Sequence, residues 1–248
     1  MSAPKTLVAY SGGKDSTTTV IKLYELRNEL EVSLNEIELV FCEVMFDRQR
    51  GISGENPEHI RFLYETAFPT FQSWGFRVRV LRNADWDYVS LFHKTIDRSS
   101  YPDRIGQVRG FPMATSGRCW CKRDLKTRVL ERFYEDVAKD AVTYVGICAD
   151  EPIRLRSLYR QPNKRSILAE LGITQAESRM ICEDYGLLSP IYELSNRGGC
   201  WFCPWVKPAE WAAVPKELRK ELIAMEEQTE NISGAAWNPL RGRLRDFH

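Results

Sequence analysis

The chain has no excess of charge of either sign, no long apolar run and few histidines, and each shortage closes off a class of function. Lys plus Arg number 35 against 34 Asp plus Glu, a formal net charge of +1 over 248 residues. Electrostatics therefore neither names nucleic acid as a partner nor excludes it. No apolar stretch is long enough to span a membrane. The first residues carry no basic segment leading into an apolar one, so no secretory signal is expected and the expected location is the cytoplasm. Of the three histidines, His59 and His93 fall in no metal-ligand or Ser-His-Asp spacing and receive no role. Also missing is G-x-x-x-x-G-K-[ST], the ordinary phosphate loop of kinases and GTPases.

What is present begins with Ser11, Gly12, Gly13, Lys14, Asp15 and Ser16, which follow the apolar run Thr6 to Tyr10 and precede a segment with helical spacing. Two glycines let the backbone turn tightly and approach a ligand, and the N–H groups and dipole of a helix start favour an anion. Ser11 and Ser16 add hydroxyls and Lys14 a cation. The competing reading is a glycine turn without a ligand.

Leu7 to Tyr10, Ile37 to Met45, Phe76 to Leu81 and Ala141 to Ile147 read as strands separated by helical segments at Thr17 to Leu30, Pro57 to Phe68 and Arg123 to Val137. This alternation predicts an α/β fold with a mostly parallel sheet and helices on both faces. From about Gly172 the composition shifts. Thr174 with Glu177 makes a capping-box pattern for a helix through Cys182, glycines and prolines then break the chain, and Glu210 to Gln228 reads as one more helix. The expected division is a nucleotide-binding domain over 1–171 and a small cysteine-containing carboxy-terminal subdomain over 172–248, its tail from Thr229 either poorly ordered or folded over the site.

Seven cysteines in a chain without a visible signal point to thiols, metal ligands or redox chemistry rather than a disulfide scaffold. Cys119 and Cys121 flank Trp120, and Cys200 and Cys203 form a C-x-x-C after Gly198 and Gly199. Two close pairs suggest one four-thiolate site, with zinc and a four-iron four-sulfur (4Fe-4S) cluster both compatible. The alternative is four unrelated buried cysteines. Trp120, Trp201, Phe202 and Trp205 would form an apolar shell around such a site, while Cys42, Cys148 and Cys182 are expected to be buried and unreactive.

Gly146, Asp150, Glu151, Arg154 and Arg156 follow the strand that ends at Ile147, where open α/β sheets bind ligands beyond the strands' carboxyl ends. Arginine there can hold a phosphate or sulfate bidentately. The competing reading is a solvated helix start. Asp47 is a further candidate for Mg²⁺ or a ribose hydroxyl, and Glu55 a further carboxylate of the crevice.

The S-G-G-K-D-S run directly after the first strand resembles the pyrophosphatase loop of the adenine nucleotide alpha-hydrolase superfamily, whose Rossmann-like members bind ATP or a related adenylyl nucleotide. With a close Cys pair mid-chain and a C-x-x-C about eighty residues later, the order of motifs resembles the phosphoadenylyl sulfate and adenylyl sulfate reductase family. It is similar, too, to the related enzyme of DNA phosphorothioation. In the iron–sulfur members of that family a Cys-Cys pair and a later C-x-x-C hold a 4Fe-4S cluster. Here Trp120 separates the first pair.

The resemblance implies that Ser11 to Ser16, Asp47, Gly146, Asp150 and Glu151 contact nucleotide, that Lys14, Asp15 and Arg154 serve catalysis, and that Lys122, Arg123, Lys126 and Arg156 balance anionic substrate. Thioredoxin-coupled reductases of the family use a nucleophilic cysteine in a carboxy-terminal segment, and no cysteine follows Cys203. The expectation is therefore an ATP- and Mg²⁺-dependent enzyme that adenylates an acceptor for sulfur transfer, served by a sulfur- or electron-donor protein. A true adenylyl sulfate reductase and a non-catalytic nucleotide-binding module with structural zinc are the alternatives.

Overall fold

A computed structural model describes residues 6–112, 119–195, 198–229, 232–234, 237–238 and 243–247. The chain divides into two compact units, each assembled from three stretches. Met1–Cys42, Glu58–Leu81 and Leu130–Gly198 make the first, and Glu43–Pro57, Arg82–Val129 and Gly199–His248 the second. The boundary expected near residue 172 falls inside the first unit, which keeps residues 172–198.

The first unit is α/β. Strands β1 (Thr6–Tyr10), β2 (Ile37–Cys42), β5 (Arg77–Leu81), β7 (Val142–Val145) and β8 (Lys164–Arg165) form an all-parallel sheet in the order β5-β2-β1-β7-β8, a Rossmann-like arrangement. Alternate residues of β1 serve different cores. Val8 and Tyr10 pack with Val20, Ile21 and Leu23 of α1 (Lys14–Glu25) and with Phe68 and Phe71 of α3 (Phe68–Ser73). Leu7 packs with Val40 and with Phe133 of α6 (Arg128–Val137). Helices thus cover both faces, as a parallel sheet requires. The chain adds β2 and β5 on one side of β1 and then returns to add β7 and β8 on the other, so strand order reverses between β1 and β7.

Several boundaries differ from those the spacing predicts. Helix α1 stops at Glu25 rather than near Leu30. Arg27 turns back, its Nη1 donating to the Tyr24 carbonyl at 2.6 Å, and Glu31 has φ 52°, which no right-handed helix accommodates. The helix expected over 57–68 runs on to Ser73: α2 (Pro57–Phe62) passes through a π turn at Leu63–Ala67 into α3. Pro69, which lacks the N–H a regular turn would use, comes two residues after that turn. Past β7 come α7 (Pro152–Leu158), α8 (Ile167–Glu170), α9 (Gln175–Asp184), whose Thr174–Glu177 capping box forms as the sequence predicts, and α10 (Ile191–Leu194).

In the second unit the expected strand Ile37 to Met45 has already ended at Cys42, and β3 (Met45–Asp47) pairs antiparallel with β4 (Ile52–Ser53). Helix α4 (Tyr88–Phe92), β6 (Val108–Gly110) paired with β9 (Ile232–Gly234), α5 (Trp120–Lys122), α11 (Pro208–Ala213) and α12 (Lys216–Gln228) complete it. The helix expected over 210–228 is broken because Val214, preceding Pro215, adopts ψ 136°. The core is aromatic, built on Phe46, Tyr88, Phe92, Phe111, Trp120, Trp201, Phe202, Trp211 and Trp237. Among the described residues no helix is long and apolar enough to cross a membrane.

Asp124, in the π turn Arg123–Thr127, is buried among three guanidinium groups: Arg123 at 2.7 Å, Arg128 at 2.9 Å and Arg109 at 3.2 Å. Burial alone would push its carboxyl up, but Arg123, Arg109 and Arg128 outweigh burial and hold it below the usual carboxylate range. A depressed folded-state value stabilises the fold above the unfolded value, near 3.9, and loses that contribution as pH falls through the folded value. Asp124→Asn is expected to destabilise the chain by about 1–2 kcal/mol at neutral pH, the arginines being partly exposed. In denaturant titrations the difference from wild type should shrink steadily below about pH 4.

Candidate functional site

Ser11, Gly12 and Gly13 connect the carboxyl end of β1 to the amino end of α1. Gly12 has φ +77°, and a Cβ there would lie 2.6 Å from His59 Nε2 and 2.9 Å from Leu63 Cδ2. Only glycine fits on both counts. Gly13 heads α1 with no side-chain cap, the position at which a helix start favours an anion. Ser16 Oγ donates to the Gly13 carbonyl at 2.9 Å and accepts from the Ser11 N–H at 3.2 Å, with Ser11 Oγ 3.1 Å away, which pins the turn. The Lys14 N–H donates to Tyr192 Oη at 2.9 Å.

Asp15 is a hub. Its Oδ1 accepts from Lys14 Nζ at 2.5 Å, from Ser178 Oγ at 2.9 Å and from Cys148 Sγ at 3.2 Å. Burial and then the Asp15 charge push the Cys148 thiol up to about 12, and burial pushes Cys182, whose Sγ donates to the Lys14 carbonyl, up to about 11. Both thiols are buried in the apolar core, as expected, and each also touches a polar group of the helix start. Among the described residues, the group whose ligand atoms all lie within 4.8 Å of one another is Asp15, Cys148 and Glu151. Two carboxylate oxygens suit a hard cation and the thiol does not.

The segment after β7 lies against this loop, at the strand-order reversal. A Cβ on Gly146 would lie 2.6 Å from Asp15 C and from Ser16 N, so Gly146 is required for close strand–helix packing. Glu151 accepts from the Cys148 N–H at 3.0 Å and from Arg154 Nη1 at 2.6 Å. Asp150 accepts from the Gln175 N–H at 3.1 Å at the start of α9. Arg154 and Arg156 are exposed on α7. Tyr192, His59 and Ser178 are part of this site and carry no sequence signal. His59 is buried, with Nδ1 2.7 Å from Ser189 Oγ.

In the second unit the two cysteine pairs meet. Hydrogen bonds link the Cys121 thiol to Cys119 and to Cys200, and all four cysteines act electrostatically on the buried Tyr88 hydroxyl. The hydrogen bond from Cys121, then the Lys122 and Cys121 amides and the Lys122 charge, outweigh burial and bring the Cys119 thiol down to about 6. Cys121 itself is pushed up by the bonds to Cys119 and Cys200 and by burial. The C-x-x-C loop is held from two directions. On one side the Trp201 N–H donates to the Gly54 carbonyl at 3.0 Å, Trp201 Nε1 donates to the Ser53 carbonyl at 3.0 Å, and Glu55 bridges Cys200. On the other, Trp237 Nε1 donates to the Phe202 carbonyl at 2.8 Å and Asn238 Nδ2 to the Pro204 carbonyl at 2.7 Å. Four soft thiol donors beside Trp120, Trp201 and Phe202 are the donor type that zinc or an iron–sulfur cluster takes, although no three of these sulfurs all lie within 4.8 Å of one another. Trp205, expected in that shell, is 43 % exposed. Gly117, expected to flank the first pair, lies outside the described residues.

The remaining candidates are in the second unit. Asp47 accepts from the Arg50 N–H and Nε; burial opposes, but these bonds hold its carboxyl below the usual range. Lys122 is exposed, Arg123 is paired with Asp124, and Lys126 acts on Glu55, a carboxylate that burial pushes up.

Gly146→Ala is expected to destabilise the fold by about 2–3 kcal/mol, because the atoms it would strike are backbone and cannot rotate away. Urea denaturation of the variant, read at an unchanged m-value, checks this. Set beside known proteins, the chain matches no protein-family model and no curated protein.

Proposed function

We propose that the protein is an adenylating enzyme of sulfur metabolism: it binds ATP along Ser11 to Ser16, transfers the adenylyl group to an acceptor oxygen and so prepares that carbon or phosphorus centre for sulfur. The observation that carries this reading is the glycine turn at the reversal of strand order. Gly12 at φ +77°, an uncapped helix start, Lys14, Ser11 and Ser16 converge at the carboxyl end of β1 beside β7, where α/β sheets bind phosphorylated ligands. In the reaction the acceptor oxygen attacks the α-phosphorus, the bond to the bridging oxygen breaks and pyrophosphate leaves with the electron pair. Lys14 and the first-turn amides neutralise the charge that develops on the departing phosphates. Lys14 must part from Asp15 to do so, and Asp15 with Glu151 then offers carboxylate oxygens for Mg²⁺. Tyr192, already bonded to the Lys14 amide, marks where a phosphate oxygen would sit.

Cys119, Cys121, Cys200 and Cys203 would hold a metal centre, read here as iron–sulfur. When bound, such a cluster supplies electron relay or a sulfur-handling site, and the chain's own part is to hold four thiolates beside an aromatic core.

Lys14→Ala is expected to weaken Mg·ATP binding by about one to two orders of magnitude in calorimetry, the loss of one charge-assisted phosphate contact. Unchanged affinity would overturn the loop assignment. ATP–pyrophosphate exchange that depends on added acceptor would separate adenylation from simple nucleotide binding.

Metal analysis after anaerobic purification tests the second unit. Cys200→Ser and Cys119→Ser should each lose iron and sulfide together and lower thermal stability, since ligation energy is folding energy in such loops. Stoichiometric zinc in a colourless wild-type protein would turn the centre into a structural one.

A further inference from the structure

The ring of Tyr88 lies between the two cysteine pairs. It stacks on Trp120, the residue between Cys119 and Cys121, with centroids 5.2 Å apart, and packs on Phe202, between Cys200 and Cys203, at 4.0 Å. Phe46 closes a third side at 5.5 Å. The side chain is wholly buried, and its hydroxyl has no hydrogen-bond partner among the described residues. Trp120 Nε1, on the stacked ring, is a second buried donor without one. A buried donor left unpaired is costly, and native cores leave few of them. Two on adjoining rings beside four thiols point to an acceptor that the described residues do not supply.

Cysteines 119, 121, 200 and 203 all act electrostatically on the Tyr88 hydroxyl, which places that group in the field of the whole thiol set rather than of one pair. The backbone that carries the ring is also fixed: α4 starts at Tyr88, and its N-cap Asp87 forms a capping box with Ser90, at 2.8 and 3.0 Å.

We propose that Tyr88 is a positioning residue for the metal centre, its hydroxyl donating a hydrogen bond to a sulfur of the iron–sulfur cluster held by the four cysteines; this rests on the reading of those cysteines given above. Hydrogen bonds to cluster sulfurs favour the reduced state, which carries the extra negative charge, and so raise the reduction potential. The hydroxyl makes no contact with nucleotide in this proposal and bears no proton that the reaction uses.

The test uses the full chain, purified anaerobically and reconstituted with ferrous iron and sulfide. Wild type, Tyr88→Phe, a variant with fluorotyrosine at position 88, and Cys200→Ser are compared by iron and sulfide content and by potentiometric titration. Tyr88→Phe should keep wild-type iron and sulfide but disfavour reduction about tenfold, a potential lower by about 59 mV for a one-electron couple. Fluorotyrosine, nearly the same shape and a stronger donor, should move the potential the other way. Identical potentials in loaded wild type and the fluorotyrosine variant overturn the role of Tyr88 and leave the four-cysteine reading standing, even where the phenylalanine variant fails to fold. Equal iron retention by wild type and Cys200→Ser, or zinc in place of iron, overturns the four-cysteine reading and Tyr88 with it.

Discussion

Where β7 ends, the backbone of Gly146 passes the first turn of α1 so closely that the space a Cβ would need is taken by the main chain of Asp15 and Ser16. The geometry of the first unit's site follows from that approach. It carries Cys148 to Asp15 and Glu151 to the Cys148 amide, and Ser166 holds the same stretch from the far side by donating to the Ile147 carbonyl at 2.6 Å. A second close approach, His59 beneath Gly12, shapes the loop from below. The glycine turn is thus clamped between a strand end and a buried imidazole, and its conformation is fixed before any ligand arrives. That kind of preorganisation lets backbone amides act on a phosphate at little reorganisation cost.

The second unit solves a different problem. Cysteine thiols are poor hydrogen-bonding groups, and a loop that carries them cannot hold itself in place. Here the polar work is given to neighbours: backbone carbonyls of residues 53, 54, 202 and 204 take up the indole and amide donors around the C-x-x-C, while the rings fill the space between the pairs. Gly54 serves the same packing, since a Cβ there would meet the Val44 carbonyl at 2.8 Å and the Phe202 ring at 2.9 Å.

The sequence made the parallel sheet, the loop after β1 and the capping box at Thr174 legible because each is a local pattern: alternating periodicities, two glycines before a helix, a threonine three residues ahead of a glutamate. What it hid was set by distant packing. Tyr192 and Ser178 are far along the chain from the residues they contact, and nothing in their neighbourhoods marks them. That Glu151 and Arg154 bond each other and close the loop, and that Asp150 bonds the start of α9, was likewise set by packing that no local pattern marks. The two-part division was equally unreadable, because each unit is gathered from three separated stretches and composition changes only once along the chain. The break between α11 and α12 was legible in principle, since Pro215 marks it.

The fastening of the C-x-x-C loop by Trp237 and Asn238 also has a consequence in time. Chains emerge from the ribosome at about 5–20 residues per second, and Trp237 follows Cys121 by on the order of a hundred residues. For roughly ten seconds of every synthesis the first thiol pair exists without the segment that completes its surroundings. During that interval the Cys119 and Cys121 thiols are open to oxidants. The surroundings of these cysteines are therefore completed only late in the synthesis of each molecule.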